Sequence, residues 1–419
     1  MTMPLRRVLR QAVGCTLLIL LATTSFLFSP SPQTETEYCG TYLHLSSFAG
    51  FTANCDGFVY MEDARQPIHL LEPREVRQSR PLFILLGTAV GYPCTWLVQG
   101  LTASGLLPPQ TVAHLPAKYQ PLLGFYIGYV LLNYVVLLAS MLLFSNLYRR
   151  LTQGQGSQLV LGALLVFLAS NQVTKAFFWT VHQQMFTFLV PLLCLYILLA
   201  LRGRTTWLQL CCFALLGGGL ALVYGSFVLV LPCLLYLAWQ QGKKQPLYRK
   251  AFFTVGLTLL FALPTGLWIA ILGLRGVRYY NHEAEAYNQL VWLLEAARLP
   301  WWAFWCEVGT RLEHFVSTWP AIGLFVGVAL VLAWQLARRG ELRNEPLPTI
   351  LALLVGFVAF FAVLGYYRER LTFTLVPLLL CFVAAALYRL PAYPRVRWLA
   401  VAGALGWHIW QVCSYGPFS

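Results

Sequence analysis

Three carboxylates lie close together in a chain that has few of them. Asp56, Glu62 and Asp63 occupy one short stretch, whereas the whole 419-residue sequence holds only 15 Asp and Glu residues. A carboxylate beside a bilayer is costly unless it is solvated, paired or functional. A carboxylate placed there can remove a proton from an incoming hydroxyl or amine, as a general base does. Asp56 is therefore our first candidate for chemistry, with Glu62 and Asp63 as alternates.

Each of these acids also has a structural interpretation. Asp56 precedes a predicted helix over 58–66, and Asp is a favoured residue at a helix N-cap. On that helix Glu62 and Asp63 fall on or beside the face of Arg65, which permits ion pairing. The sequence leaves a capping role and a catalytic role for Asp56 equally open.

Membrane-spanning helices must position these residues. The sequence is 58% hydrophobic and 11% charged, with a mean hydropathy of +0.65, which is unlike any soluble globular domain. Several apolar stretches approach or exceed the roughly 20 residues that a helix needs to cross a bilayer. We expect an all-α polytopic membrane protein that forms a single transmembrane domain over 1–419.

The basic residues predict how the helices are oriented. The net charge of +14 comes from short clusters between apolar segments, a distribution that follows the positive-inside rule and gives no reason to expect a nucleic-acid partner. With those clusters inside, about eleven segments cross the membrane. They are 8–28, 121–147, 158–170, 185–201, two crossings within 207–241, 251–273, 319–337, 347–365, 371–388 and 398–413.

One apolar segment does not fit this alternation. Residues 82–101 are apolar enough to cross, but a crossing there would place Arg149 and Arg150 outside. We expect a juxtamembrane or re-entrant helix, broken near Gly87, Gly91 or Pro93, with twelve crossings as the alternative. The region 29–120 is then a long outer loop that contains the candidate acid, and 274–318 is a second one.

The same first loop contains two cysteines. Cys39 and Cys55 could form a disulfide if the loop faces an oxidising compartment. The other nine of the eleven cysteines lie mostly in or near apolar segments, where cysteine usually behaves as a small hydrophobe. No CxxC metal motif is present, and no metal cluster is evident among the seven histidines.

The layout resembles that of the GT-C superfamily, integral-membrane glycosyltransferases that use polyprenyl-phosphate-linked sugars. The first outer loop has Asp-Gly-x-x-Tyr from Asp56, then Glu62-Asp63-Ala64, and later Arg80-Pro81-Leu82 at the start of an apolar helix. Late in the chain, Tyr366-Tyr-Arg-Glu-Arg370 followed by Pro377 is similar to the family's Tyr- and Arg-rich outer loop. Protein mannosyltransferases and the aminoarabinose transferases of lipid A belong to this superfamily.

The resemblance implies roles for particular residues. Asp56 takes the family's first-loop acidic position, the general base that activates the acceptor, with Glu62 or Asp63 as alternates. Neutralisation of the lipid phosphate falls to Arg368 and Arg370, since Arg pairs bidentately with phosphate, and snorkelling to the interface is their structural alternative. Three further residues are candidates for binding the donor phosphate: Lys175, His182 and Arg80.

The chain departs from the family between the helices 158–170 and 185–201. That loop often has a second Asp in the family, but residues 171–184 contain no acid. His182 could assist as a base or bind the phosphate, although a lone His near a helix end is more often structural. The missing acid leaves a divalent metal possible but unsupported, and no cofactor is certain.

Three functions remain open at this point. A glycosyltransferase with a polyprenyl-phosphate-sugar donor would act on a lipid, glycan or protein acceptor, at the outer face of what we expect to be a bacterial cytoplasmic membrane. A transporter or flippase of lipid-linked sugars predicts ionisable residues within the spans, and almost none are found there. A non-catalytic membrane assembly protein would need no cluster of acids and arginines.

Overall fold

We describe a computed structural model of the chain, which covers residues 5–31, 36–37, 40–47, 49–106, 119–243, 245–390 and 393–414. Helices dominate these residues. The α-helices are α1 Leu5–Ser25, α2 Cys55–Arg65, α3 Pro81–Ala103, α4 Leu123–Leu151, α5 Gln158–Ala169, α6 Gln172–Phe177, α7 Phe186–Ala200, α8 Trp207–Ala221, α9 Val230–Gln241, α10 Leu247–Leu274, α11 His282–Tyr287, α12 Val291–Ala296, α13 Trp301–Val316, α14 Gly323–Arg338, α15 Leu347–Leu364, α16 Glu369–Thr372, α17 Val376–Arg389 and α18 Tyr393–Cys413.

The apolar helices confirm a multi-pass membrane protein. Within the described ranges, eight helical stretches are long and apolar enough to cross a membrane. One of them is Pro81–Ala103, and the others coincide with predicted spans: Val8–Phe28, Gln120–Leu151, Gln183–Ala200, Leu247–Leu274, Trp319–Arg338, Leu347–Leu364 and Glu369–Arg389. The most buried is Glu369–Arg389, which forms the centre of the bundle.

The predicted division of 207–241 into two short helices is confirmed. α8 ends at Ala221 and α9 begins at Val230, with a 3-10 turn over Gly225–Leu229 between them. Close packing requires glycine in α8, because a Cβ at Gly218 would overlap the carbonyl oxygen of Phe261 in α10. The small α8 residues therefore allow α10 to lie directly against the hairpin.

The expected break in α3 is wrong. α3 is one continuous helix of 23 residues with Pro93 inside it. Its glycines serve packing, since a Cβ at Gly87 would meet the Tyr129 ring of α4 and one at Gly91 would meet the Phe125 ring. Large aromatic side chains thus fill the space that the missing Cβ atoms leave.

The contacts of α3 also fix its direction. Gly91 lies against Gly128 and Thr95 lies against Gly124, so α3 runs antiparallel to α4, with its later residues beside the first turns of α4. α3 therefore leads away from the end of α4 that carries Arg149 and Arg150.

The first loop contains a small antiparallel sheet, which the hydropathy pattern did not predict. Strands β1 Thr36–Glu37, β2 Gly40–His44 and β3 Gly50–Asn54 are adjacent in that order. Gly40 pairs with Asn54 and His44 with Gly50, so β3 delivers the chain directly to the start of α2. Cys55 is disulfide-bonded, whereas Cys39, its predicted partner, lies outside the described residues.

The second long loop folds into α11, α12 and α13. α13 exposes an aromatic face, and its Trp301 and Trp302 side chains are 75% and 78% exposed. Tryptophan at such positions is typical of a membrane interface.

Candidate active site

Asp56 lies in the first turn of α2, but it does not cap the helix. The N-cap is Asn54, whose Oδ1 accepts a hydrogen bond of 2.8 Å from the Asp56 backbone N–H. The capping interpretation of Asp56 is therefore wrong, and its carboxylate is available for other contacts. The Asp56 side chain is 34% exposed, so it is reachable from solvent.

Gly57 brings α2 close to the loop that follows α6. A Cβ at Gly57 would lie 3.3 Å from both the carbonyl oxygen and Cβ of Val181, so only a residue as small as glycine fits without displacing that loop. The next residue of the loop is His182, and its Nε2 lies 4.0 Å from Asp56 Oδ2. Two segments far apart in the sequence thus meet at one carboxylate.

Arg77 makes the shortest contact with Asp56. One guanidinium nitrogen of Arg77 donates to Asp56 Oδ1 at 2.6 Å, and the guanidinium carbon lies 4.4 Å from the centre of the Tyr60 ring. Burial opposes the charge on Arg77, but Tyr60 and Asp56 outweigh it and raise its pKa. Arg77 is only 6% exposed, so the cation is held inside the protein beneath Asp56.

His182 is a neutral hydrogen-bond donor in this setting. Burial, together with the nearby cations Arg370, Arg80 and Arg77, lowers the pKa of His182 well below its ordinary value. Its Nδ1 accepts from the Gln184 backbone N–H at 3.1 Å, which assigns the ring proton to Nε2. The N–H of His182 is therefore on the ring nitrogen nearest Asp56.

The position of His182 depends on a buried amide in α4. The side-chain nitrogen of Asn133 approaches three backbone carbonyls, those of Phe177, Phe178 and Thr180, at 3.1, 3.0 and 2.8 Å. These contacts hold the end of α6 and the start of the His182 loop against α4.

Arg80 joins the first loop to the second. Its guanidinium donates to the Tyr60 hydroxyl at 2.8 Å and pairs with Glu283 of α11 at 2.5 Å. Burial would lower the pKa of Arg80, but Tyr60 and Glu283 outweigh it and raise the pKa, so the group is a permanent cation. Glu283 also accepts a hydrogen bond from Ser79 at 2.9 Å.

Gln78 reinforces the same junction. Its side-chain amide donates to the Leu70 and Glu72 carbonyls and accepts from the Tyr280 backbone N–H at 2.6 Å. The backbone carbonyl of Gln78 accepts a hydrogen bond from the Trp268 indole N–H at 2.9 Å. The first loop is therefore tied to α10 and to the segment before α11 next to Arg80.

Arg370 reaches the cluster and Arg368 lies at its rim. Arg370 stands over the Phe177 ring at 5.6 Å, and its charge contributes to the low pKa of His182. Its carbonyl accepts from the Gln184 side chain at 3.2 Å. Arg368 is exposed and lies 5.9 Å from the Tyr366 ring, which packs against Tyr287 of α11.

Lys175 lies elsewhere. Its ammonium group donates to the Gln411 and Ser414 carbonyls at 3.0 and 2.7 Å, at the end of α18. Burial lowers its pKa to about 8. The structure thus gives Lys175 a helix-end contact in place of the predicted contact with a donor phosphate.

Glu62 and Asp63 are separated by the turn of α2. Glu62 is exposed, whereas Asp63 is buried, with its Oδ1 3.8 Å from His69 Nδ1. Burial, followed by the negative charge of Glu75, raises the pKa of Asp63 to about 7. The predicted pairing of Asp63 with Arg65 is replaced by this contact with His69.

Two members of the cluster were missed as functional residues. They are Arg77 and Glu283. Composition does not show which arginines are buried. The Arg80–Glu283 pair joins residues about two hundred positions apart, so no local pattern predicts it. The Arg-x-x-Arg spacing from Arg77 to Arg80 was the available signal, since residues three apart share a face if the segment is helical.

Among the residues that the structure describes, no group of three or more His, Cys, Asp and Glu side chains is placed to hold a metal ion. The positive charge of the site comes from Arg77, Arg80 and Arg370.

Comparison of the chain with protein-family models, with curated proteins and with solved structures finds no match.

Proposed function

We propose that this chain is a membrane glycosyltransferase that transfers a sugar from a polyprenyl-phosphate-linked donor to a lipid, glycan or protein acceptor. The observation that supports it best is the position of Asp56. Its partly exposed carboxylate stands beside the neutral His182 and within a group of three arginines, Arg77, Arg80 and Arg370. A base next to concentrated positive charge suits a reaction in which a hydroxyl loses a proton and a phosphate leaves.

The proposed reaction is a direct displacement with inversion. The acceptor oxygen attacks the anomeric carbon as its proton passes to Asp56, and the bond from that carbon to the phosphate oxygen breaks. The electron pair leaves with the polyprenyl phosphate. Arg80 and Arg370 stabilise the charge that develops on this leaving group. The Nε2–H of His182 donates a hydrogen bond to the same phosphate.

An apolar groove supports a lipid-linked donor. A groove of about 390 Å³ lies between α3 and α8. It is lined by Leu82, Leu85, Leu86, Leu215, Leu216, Gly219, Leu220 and Val223. Leu82 lies two residues beyond Arg80, and Val223 precedes Tyr224, whose hydroxyl lies near Gln184 at 3.5 Å. A prenyl chain in the groove would bring its phosphate towards the arginines.

In this proposal the site faces outward across a bacterial cytoplasmic membrane. The disulfide at Cys55 favours an oxidising compartment for the first loop. Arg149 and Arg150 lie at the far end of α4, as the positive-inside rule expects of a cytoplasmic end. We further propose about eleven crossings with α3 as an additional, non-crossing helix, since α3 leads away from that end.

The test is sugar transfer in proteoliposomes with a radiolabelled polyprenyl-phosphate sugar and extracts of the host envelope as acceptor. The proposal predicts labelled acceptor together with released polyprenyl phosphate. Movement of intact donor across the bilayer, with no covalent product, would contradict it and indicate a flippase. The absence of both activities, with binding of a membrane partner only, would indicate an assembly protein.

A further inference from the structure

The helix α13 carries a continuous row of exposed apolar side chains. Four of them are Trp301, Trp305, Leu312 and Val316, and Trp302 lies at the edge of the row. Steps of four, seven and four residues place the first four on one face, because an α-helix turns once every 3.6 residues. We call these five side chains the tryptophan stripe. It runs the length of α13, whose 16 residues extend for about 24 Å.

The other two faces of α13 are different. Thr310, Glu313 and His314 are exposed and form a polar face. Arg311 and the buried Phe315 face the protein. A helix with an apolar face opposite a polar one is typical of a segment that lies in the plane of a membrane interface.

Two membrane-spanning helices fix the position of α13. Two residues separate the end of α13 from the apolar span Trp319–Arg338. Earlier in α13, the Arg311 guanidinium donates to the carbonyl of Gly365 at 3.3 Å, directly after the span Leu347–Leu364. α13 is therefore held across the ends of two spans. Beyond it, the exposed apolar surface continues on α14 at Leu324.

The second long loop is docked firmly on the end of α15. Three donors from this loop reach the last carbonyls of α15, which have no partner within the helix. They are the Trp292 indole N–H at 2.8 Å, the Leu290 backbone N–H at 2.9 Å and the Arg311 guanidinium at 3.3 Å, on the carbonyls of Val363, Leu364 and Gly365 respectively. The height of α13 is thus set by the end of a span.

We propose that α13 lies flat in the membrane interface on the side of the candidate active site. The partner of the tryptophan stripe is the phospholipid bilayer surface, and the stripe enters the boundary between headgroups and acyl chains to about 5–10 Å. Indole rings suit this boundary, because each has an apolar body and an N–H that can bond to headgroups or water.

α13 also holds the segment that carries Arg370. Phe315 packs against the Tyr367 ring at 5.7 Å, and Thr318 shares a hydrogen bond of 2.6 Å with Thr372. Arg370 lies between these two contacts in the chain. The interfacial helix therefore keeps Arg370 near the depth of a lipid-linked phosphate, a consequence that rests on the proposed sugar transfer.

Spin labelling of the full chain in phosphatidylcholine nanodiscs tests the depth of α13. The background lacks the exposed Cys212, Cys306 and Cys413. A nitroxide at Trp305→Cys should be accessible to oxygen and shielded from a water-soluble nickel chelate, at a depth of about 5–10 Å. Thr310→Cys, on the polar face of the same helix, is the matched control, and its label should be open to the nickel chelate.

Two results would overturn the proposal. Equal exposure of both labels to the nickel chelate would mean that α13 stands in water. A label at Trp305→Cys that is shielded from oxygen as well as from nickel would mean that protein, such as a second copy of this chain, covers the stripe. Leu312→Cys, on the same stripe, should repeat the depth found at Trp305→Cys.

The link to Arg370 is tested separately, in the transfer assay. Arg311→Gln removes the hydrogen bond to Gly365 and should raise the donor KM about fivefold, as the loss of one hydrogen bond does, with kcat unchanged. His314→Gln on the polar face should leave KM as it is. An unchanged KM in Arg311→Gln would overturn the link. The spin-label depths require no sugar transfer, so they test the interfacial helix even if the chain transfers none.

Discussion

Asp56 and Arg77 form an ion pair of 2.6 Å in which the cation is buried and the carboxylate is partly exposed. The asymmetry matters because a buried guanidinium cannot turn away to solvent, so it fixes the carboxylate from below. The other carboxylate oxygen, Asp56 Oδ2, lies 4.0 Å from His182 Nε2. Arg77 is therefore a positioning residue in our account, and Asp56 is the group that contacts the acceptor.

The buried carboxyl of Asp63 should make stability depend on pH. Its folded pKa of about 7 exceeds the ordinary Asp value of 3.8, so the folded state binds an extra proton between these two pH values. Stability from this group is fully present below 3.8 and is lost progressively as pH rises from there through 7. Asp63→Asn should therefore gain stability over the wild type across this range, and the gain should be larger at pH 8 than at pH 5 by on the order of 2 kcal/mol.

Thermal unfolding at both pH values measures this difference. Glu62→Gln, on the same helix but exposed, should show no such pH dependence. A gain for Asp63→Asn that is the same at pH 5 and pH 8 would contradict the assignment.

The amide of Asn133 should support both stability and transfer. Asn133→Leu removes the donor to three buried carbonyls, which should cost about 2 kcal/mol or more. It should also lower kcat, because the loop that carries His182 loses its anchor. Ser140→Ala on the same helix removes a hydroxyl that donates to its own helix and should leave kcat unchanged. Equal kcat in the two variants would argue against the anchoring role.

The arginines and Glu283 should act on the donor in opposite directions. Arg370→Gln should raise the donor KM about tenfold, since a hydrogen bond to a charged phosphate is lost. Glu283→Gln frees Arg80 from its carboxylate partner and should lower that KM. The exposed Arg298 supplies the control, and its change to Gln should leave KM as it is. A raised KM in Glu283→Gln would show that Arg80 does not bind the phosphate.

Both ends of α3 should lie on one side of the membrane. In a background without the exposed Cys212, Cys306 and Cys413, Ser104→Cys after α3 and Ile68→Cys before it should react with an impermeant maleimide from the same side. Labelling from opposite sides would mean that α3 crosses.

The sequence was informative where the signal was local. Hydropathy predicted most of the helices, and the basic clusters at both ends of 207–241 predicted that this segment divides in two. Asp56, His182 and Arg370 were each named from residue type and place in the chain, and the structure brings them together. Their catalytic roles stay predictions.

The rest depended on contacts that no window of sequence displays. In the sequence, Gly87 and Gly91 indicate a helix break. In the structure they make room for the Tyr129 and Phe125 rings of another helix. Lys175 looked available to a phosphate, but backbone carbonyls at the end of a helix more than two hundred residues later accept its hydrogen bonds. In both cases a distant segment decided what a local pattern meant.

Sugar transfer by Asp56→Asn tests the central claim most directly. The change keeps the shape of the side chain and removes its basicity, so we expect kcat to fall by at least about a hundredfold with donor KM within a few-fold of the wild type. Glu62→Gln should transfer sugar normally. Full transfer by purified, folded Asp56→Asn would contradict the account.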